Sequence, residues 1–247
     1  MDYIMKTKAR GFIIYEGPSL IDGAPIFVVA LTQSGNVKTG NMIQTYIMLQ
    51  DIEPLAANKT GADYSICGNC RHRGTPHNDP DRKTAKDRTC YVTLFHGPLN
   101  VYKQYKAGKY PKADNIAQIG NGRKVRLGTY GDPAAVPSSI WDALLSDCVD
   151  HTAYSHQSDI VTADYRPDLF MQSADTLEQA MTAWDRDERT FRVVSSVNDV
   201  QPGEILCPAS AEAGHRVQCH DCGLCAGSSI KAKSIAIVAH GTGAKHF

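Results

Sequence analysis

VRLGTYGDPAAVPSSIWDALLSDCVDHTAYSHQ, residues 125–157, reads as strand, helix, strand. VRLGTYGD is a β-rich run that ends on the turn-forming pair Gly131-Asp132. PSSIWDALLSDC is a helix opened by Pro137, and HTAYSHQ is a second strand. The same texture extends in both directions. Upstream, YVTLF (91–95) reads as a short strand, and PLNVYKQYKAGKY (98–110) as an amphipathic helix stopped by Gly108 and Pro111. Downstream, PDLFMQSA (167–174) leads into the helix DTLEQAMTAWDRD (175–187), with Asp175 or Ser173 as its N-cap. TFRVVSS (190–196), GEILCPA (203–209) and SIAIVAHG (234–241) are the remaining strands. Strands alternating with helices imply right-handed βαβ units and a parallel sheet. About seven strands suit a partial or complete (β/α) barrel over residues 58–247, with an open doubly wound sheet as the alternative.

Ahead of this region, GFIIYEG, APIFVVALT and NMIQTYIML are separated by turn-rich pieces. They predict a small antiparallel meander over residues 1–57. The whole is an α/β chain of 247 residues, long enough for one large domain or two small ones. Its formal net charge is zero, so no global basic field collects nucleic acid. The first residues lack the apolar run of a signal peptide, and no stretch is apolar enough to span a bilayer. The expectation is a soluble, cytoplasmic protein with no membrane partner. In that reducing setting, clustered cysteines argue for metal rather than disulfides.

Four of the eight cysteines fall in CPASAEAGHRVQCHDCGLC, residues 207–225, three of them in a C-x2-C-x2-C run. Thiolates this close converge on one centre at little entropic cost, so Cys207, Cys219, Cys222 and Cys225 are expected metal ligands. A second set is Cys67 and Cys70 in C-x2-C, closed across a polar insert by Cys90. His72, His77, Cys148 or a non-protein ligand completes it. A protein ligand there makes a closed zinc site, and none leaves a metal position open for chemistry. The insert is rich in Arg, Lys, Pro and His without apolar periodicity and reads as an exposed loop.

In a barrel, the active site lies at the carboxyl ends of the strands. Those ends carry Gly131 and Asp132, then Tyr154, His156 and Gln157, then Ser173, with Arg192 inside its strand. Asp132 and His156 are the candidate acid–base groups, and Arg192 is the candidate holder of a carboxylate or phosphate. Gly131, Tyr154, Gln157 and Ser173 are the candidate cofactor-binding positions.

SICGNCRHR, RTCYV, RLGTYGDPAAVP and CPAS…CHDCGLC together resemble a group of tailed-phage proteins. These in turn resemble radical S-adenosylmethionine enzymes, which are partial (β/α) barrels. The resemblance covers roughly residues 60–240 and implies a 4Fe–4S cluster on Cys67, Cys70 and Cys90. It also implies an auxiliary cluster on Cys207, Cys219, Cys222 and Cys225, S-adenosylmethionine as a cofactor, and a nucleotide, nucleic acid or peptide as substrate. The chain departs from the usual C-x3-C-x2-C loop, since its third cysteine is distant. The alternative is a zinc-stabilised nucleic-acid-binding protein without catalysis.

Overall fold

The computed structural model describes residues 9–35, 38–214, 217–241 and 243–247. Most of the N-terminal segment read for a signal peptide therefore lies outside the described residues. Strands β1 (Gly11–Pro18), β2 (Pro25–Leu31) and β3 (Ile43–Leu49) pair antiparallel as the expected meander. Every residue of β3 is buried, which is why its sequence is apolar almost throughout rather than alternating. Helices α1 (Pro54–Thr60) and α2 (Tyr64–Cys67) follow, and then α3 (Gly97–Lys106) and α4 (Ile116–Gly120). β4 (Lys124–Tyr130) returns to lie parallel beside β3, and β5 (Asp150–Thr152) lies parallel beside β4 after α5 (Ser138–Leu145).

The second sheet begins after one residue, Ala153. It comprises β6 (Tyr154–Ser155), β7 (Met171–Ala174), β8 (Thr190–Val194), β9 (Glu204–Leu206) and β10 (Ser234–Val238). Its order is β6–β7–β8–β10–β9 and all its pairs are parallel. α6 (Leu177–Trp184) connects β7 to β8, and α7 (Cys219–Cys222) lies between β9 and β10. Because β5 and β6 are nearly one run of chain, the carboxyl ends of both parallel portions open toward the same space. The fold is thus mixed α/β with two five-stranded sheets.

One apolar core runs from Phe12 through Trp141 to Phe170, so it crosses from the meander into the parallel part. The expected division at residues 57/58 falls inside α1, and β3 shares its sheet with β4. Trp141 is fully buried and donates Nε1–H to the Pro133 carbonyl at 2.8 Å. Each such large apolar side chain contributes roughly 1.5–3 kcal/mol by leaving water. A smaller core holds Met171, Ile235 and Ile237 against Cys207 and Cys225.

Two local expectations are corrected. YVTLF forms no strand. The carbonyls of Cys90 and Val92 accept from the Arg88 guanidinium at 2.9 and 2.8 Å instead of from a neighbouring strand. The N-cap of α6 is Thr176, whose Oγ1 accepts from the Gln179 amide at 3.1 Å. That leaves the Asp175 carboxylate to face elsewhere. Among the described residues, no helix is long and apolar enough to cross a membrane.

Candidate metal centre

Cys67 is the last residue of α2, and Gly68 turns the chain with φ +48° and ψ −128°. The Cys70 amide then donates back to the Cys67 carbonyl at 3.1 Å, folding C-x2-C into a tight loop. Arg73 clamps this loop from one side. It pairs with Asp63 and donates to the carbonyls of Gly68 and Gly61, each at 2.9 Å. Gln157 clamps it from the other side. Its Nε2 donates to the Cys67 carbonyl at 2.8 Å and to Asp132 Oδ2 at 2.9 Å, while its Oε1 accepts from the Asn69 amide at 3.2 Å. Cys90 is brought in by its amide, which donates to the His72 carbonyl at 3.0 Å.

The tail set gathers at the carboxyl ends of β9 and β10. Cys207 directly follows β9, and its amide donates to Ala236 at 2.8 Å. Cys219 and Cys222 begin and end α7, and the Cys219 amide donates to the Lys38 carbonyl at 2.8 Å. The Cys225 carbonyl accepts from the Ala153 amide, which ties the tail to the β5–β6 junction. Arg189, itself buried, staples the following loop through the carbonyls of Leu224, Gly227, Ala232 and Lys233 at 2.7–2.9 Å.

Both sets line one cavity of about 420 Å³. Seven of the eight cysteines, from four separated segments, reach it. Cys148 does not. His77 is also outside it, with its ring engaged by the Thr84 carbonyl and the Asp79 amide. Of the four candidates to complete the first set, His72 is the protein side chain that lines the cavity.

Burial raises the Cys67 thiol well above its ordinary range, aided by Asp63, Cys70 and Cys90. It raises Cys90 as well, with Arg88 opposing. In the tail, burial raises Cys207 and pushes Cys225 up to about 12. A bound metal would supply the positive charge that lets such buried thiols ionise. Two further groups fit an occupant. The Tyr130 hydroxyl and Thr152 Oγ1 are buried, line the cavity and have no hydrogen-bond partner. Tyr130 faces Cys67 and Cys90, where its O–H can donate to a metal-bound or bridging sulfur.

Spacing bears on the kind of metal. Zn–S bonds of about 2.3 Å bring the sulfurs of a tetrahedral zinc site to about 3.8 Å of one another. Among the described residues, the group whose donor atoms all lie within 4.8 Å of one another is His72, His156 and Asp175, and no three thiols meet that limit.

The strand-end residues divide into those that face the cavity and those that support it. Gly131, Tyr154, His156 and Ser173 line it, and Gln157 lies behind the Cys67–Cys70 loop. Asp132 borders the cavity, but its carboxylate is committed. It accepts from the amides of Ala134 and His156 and from Gln157, and through Gln157 it supports the Cys67–Cys70 loop. Arg192 does not reach the cavity. Alternation along β8 turns Phe191 and Val193 inward and Arg192 to the opposite face. There it forms a two-point pair with Glu204 at 2.9 and 2.6 Å.

The buried cation at the cavity is Arg126 of β4. It donates to the Tyr91 hydroxyl at 2.5 Å and lies 5.6 Å from the Tyr154 ring. Burial opposes its charge, but Tyr91, Tyr154 and the Cys219 and Cys225 thiols outweigh that and hold its pKa above the ordinary value. The available signal was an arginine flanked by the buried Val125 and Leu127, which the sequence reading did not single out. Comparison with protein-family models, curated proteins and solved structures finds no match to the chain.

Proposed function

We propose that this chain is an iron–sulfur enzyme built on a partial (β/α) barrel. Cys67, Cys70 and Cys90 hold one cluster with an open position toward the cavity, and Cys207, Cys219, Cys222 and Cys225 hold a second. The observation that carries the reading is the convergence of seven thiols, in a set of three and a set of four, on one cavity. Three thiolates leave one iron of a 4Fe–4S cluster free for a cofactor or substrate, whereas four close it. S-adenosylmethionine on the open iron would supply radical chemistry when bound.

The chain's own residues have separable tasks in this reading. Gln157 and Arg73 hold the first loop in register, and Tyr130 offers a donor to the cluster it faces. Arg126 offsets the charge of the tail cluster, or of an anionic substrate group beside it. The walls near Arg126 are aromatic: Tyr91 stacks on His240 at 5.5 Å, and Tyr154 tilts against Phe191 at 4.3 Å. A flat, anionic substrate such as a nucleotide suits such walls better than a neutral peptide.

The experiment is anaerobic purification with iron, sulfide and zinc analysis and a visible spectrum. Iron with matching sulfide and a brown chromophore is expected, followed by cleavage of S-adenosylmethionine under reduction. A colourless protein with zinc alone refutes the reading and leaves a zinc-stabilised binding protein.

A further inference from the structure

His72, His156 and Asp175 come from three separate places and meet beside the first cysteine set. His72 sits in a single helical turn, Arg71–Arg73, just after the C-x2-C loop. His156 directly follows β6, and Asp175 directly follows β7, so both occupy carboxyl ends of neighbouring parallel strands. Their side chains are 13%, 16% and 17% exposed. His156 Nε2 lies 3.3 Å from Asp175 Oδ1, and His72 Nε2 lies 3.8 Å from the same oxygen.

This convergence is not explained by hydrogen bonding among the three. The His156–Asp175 contact is within hydrogen-bond reach, while His72 Nε2 faces the same oxygen from beyond it. The three donor atoms all lie within 4.8 Å of one another, close enough to share one ion. His72 is held through its other ring nitrogen, as histidine ligands are, and the other two are fixed through their backbone amides. His72 Nδ1 meets Thr89 Oγ1 at 2.7 Å, the His156 amide donates to Asp132, and the Asp175 amide donates to Gln179 Oε1 at 2.7 Å. The Phe247 ring stacks on His72 at 6.0 Å, with the Arg71 guanidinium 5.5 Å from that ring, and together they cover the outer side.

We propose that His72, His156 and Asp175 form a mononuclear site for a borderline divalent cation such as zinc or ferrous iron. Two imidazoles and one carboxylate on one side of an ion leave its remaining positions open to the cavity, the arrangement that activates a bound water or substrate oxygen. The site itself uses no thiol and adjoins the first cysteine set, since His156 also contacts Cys70.

The test is a cobalt(II) titration of the full chain, prepared anaerobically with iron and sulfide, followed in the visible and near ultraviolet. Cobalt on nitrogen and oxygen gives weak ligand-field bands, whereas cobalt on thiolate adds intense charge-transfer absorption. The expected result is one thiolate-free cobalt equivalent per chain. Asp175→Asn and His72→Gln should each lose it with iron and sulfide unchanged, and Thr89→Val should weaken it about tenfold or more. If the cysteines hold no clusters, their cobalt appears as charge-transfer bands and the thiolate-free equivalent is still counted apart. Absence of that equivalent in the wild-type chain, or its survival in both Asp175→Asn and His72→Gln, overturns the proposal.

Discussion

Gly68→Ala probes the loop that presents Cys67 and Cys70. A Cβ on Gly68 would meet the Gln157 side chain at 1.9 Å, and the backbone there has φ +48°. A side chain's far end can usually swing away, but Gln157 is fully buried and holds three hydrogen bonds, one of them to a carboxylate. Displacing it gives up roughly 3 kcal/mol, and the unfavourable backbone adds about 1–2 kcal/mol. The substitution should therefore cost about 3–6 kcal/mol, a large share of the ~5–15 kcal/mol that a domain commands. Gly108→Ala is the control: φ is +65° there, but nothing lies within 4 Å of the new methyl, so only about 1–2 kcal/mol is at stake. Urea unfolding of the anaerobic protein measures both, and iron per chain in Gly68→Ala should fall to the level of a Cys90→Ala variant. Gln157→Ala should add less than about 1 kcal/mol on top of Gly68→Ala, since the same contacts are already lost. Equal stability of Gly68→Ala and Gly108→Ala, with iron at the wild-type level, would refute the reasoning.

Three further outcomes follow from the same contacts. Cys222→Ala should empty the tail set and lower stability because metal binding and folding are linked, whereas Cys90→Ala should abolish activity and spare the tail; metal content and melting curves separate the two. Arg189→Met leaves four carbonyls, one of them fully buried, without their donor and should cost roughly 2–4 kcal/mol, with early proteolysis between residues 224 and 233 as the local signature. Burial lowers the pKa of His151, which meets the Leu169 carbonyl at 2.9 Å, so the folded chain resists a proton that the unfolded chain takes up near pH ~6.5. Its stabilising effect is complete above about pH 6.5 and is lost as pH falls, by at most ~1.4 kcal/mol per pH unit. His151→Gln should flatten that slope in urea titrations, and an unchanged slope would count against it.

The parallel region was largely legible because its elements are specified locally. β4, α5, β7, α6, β8, β9 and β10 each carry their own apolar pattern and turn residues, and each lies where the pattern put it. YVTLF misled because Arg88, three residues before it in the insert, takes the carbonyls of Cys90 and Val92, and a short apolar run does not announce such a competitor. Asp132 and Arg192 show a second limit. Both are polar residues in the expected strands, yet their partners, Gln157 and Glu204, come from other segments and turn them into supports. Arg126 shows the reverse, a charge within an apolar strand that is left facing the cavity.

By itself, the sequence determined the strand and helix alternation, the two cysteine sets and their counts of three and four. These depend on residue type and spacing along the chain, which local propensity and short loops convert directly into structure. The tertiary structure alone decided that both sets open onto one cavity and that His72, His156 and Asp175 meet at its edge. It also decided that Arg126, and not Arg192, faces that cavity. The reason is physical: pairing β3 with β4 and joining β5 to β6 through Ala153 carries residues far apart in the chain to the same strand ends. No local pattern encodes those pairings; the burial of a shared core does.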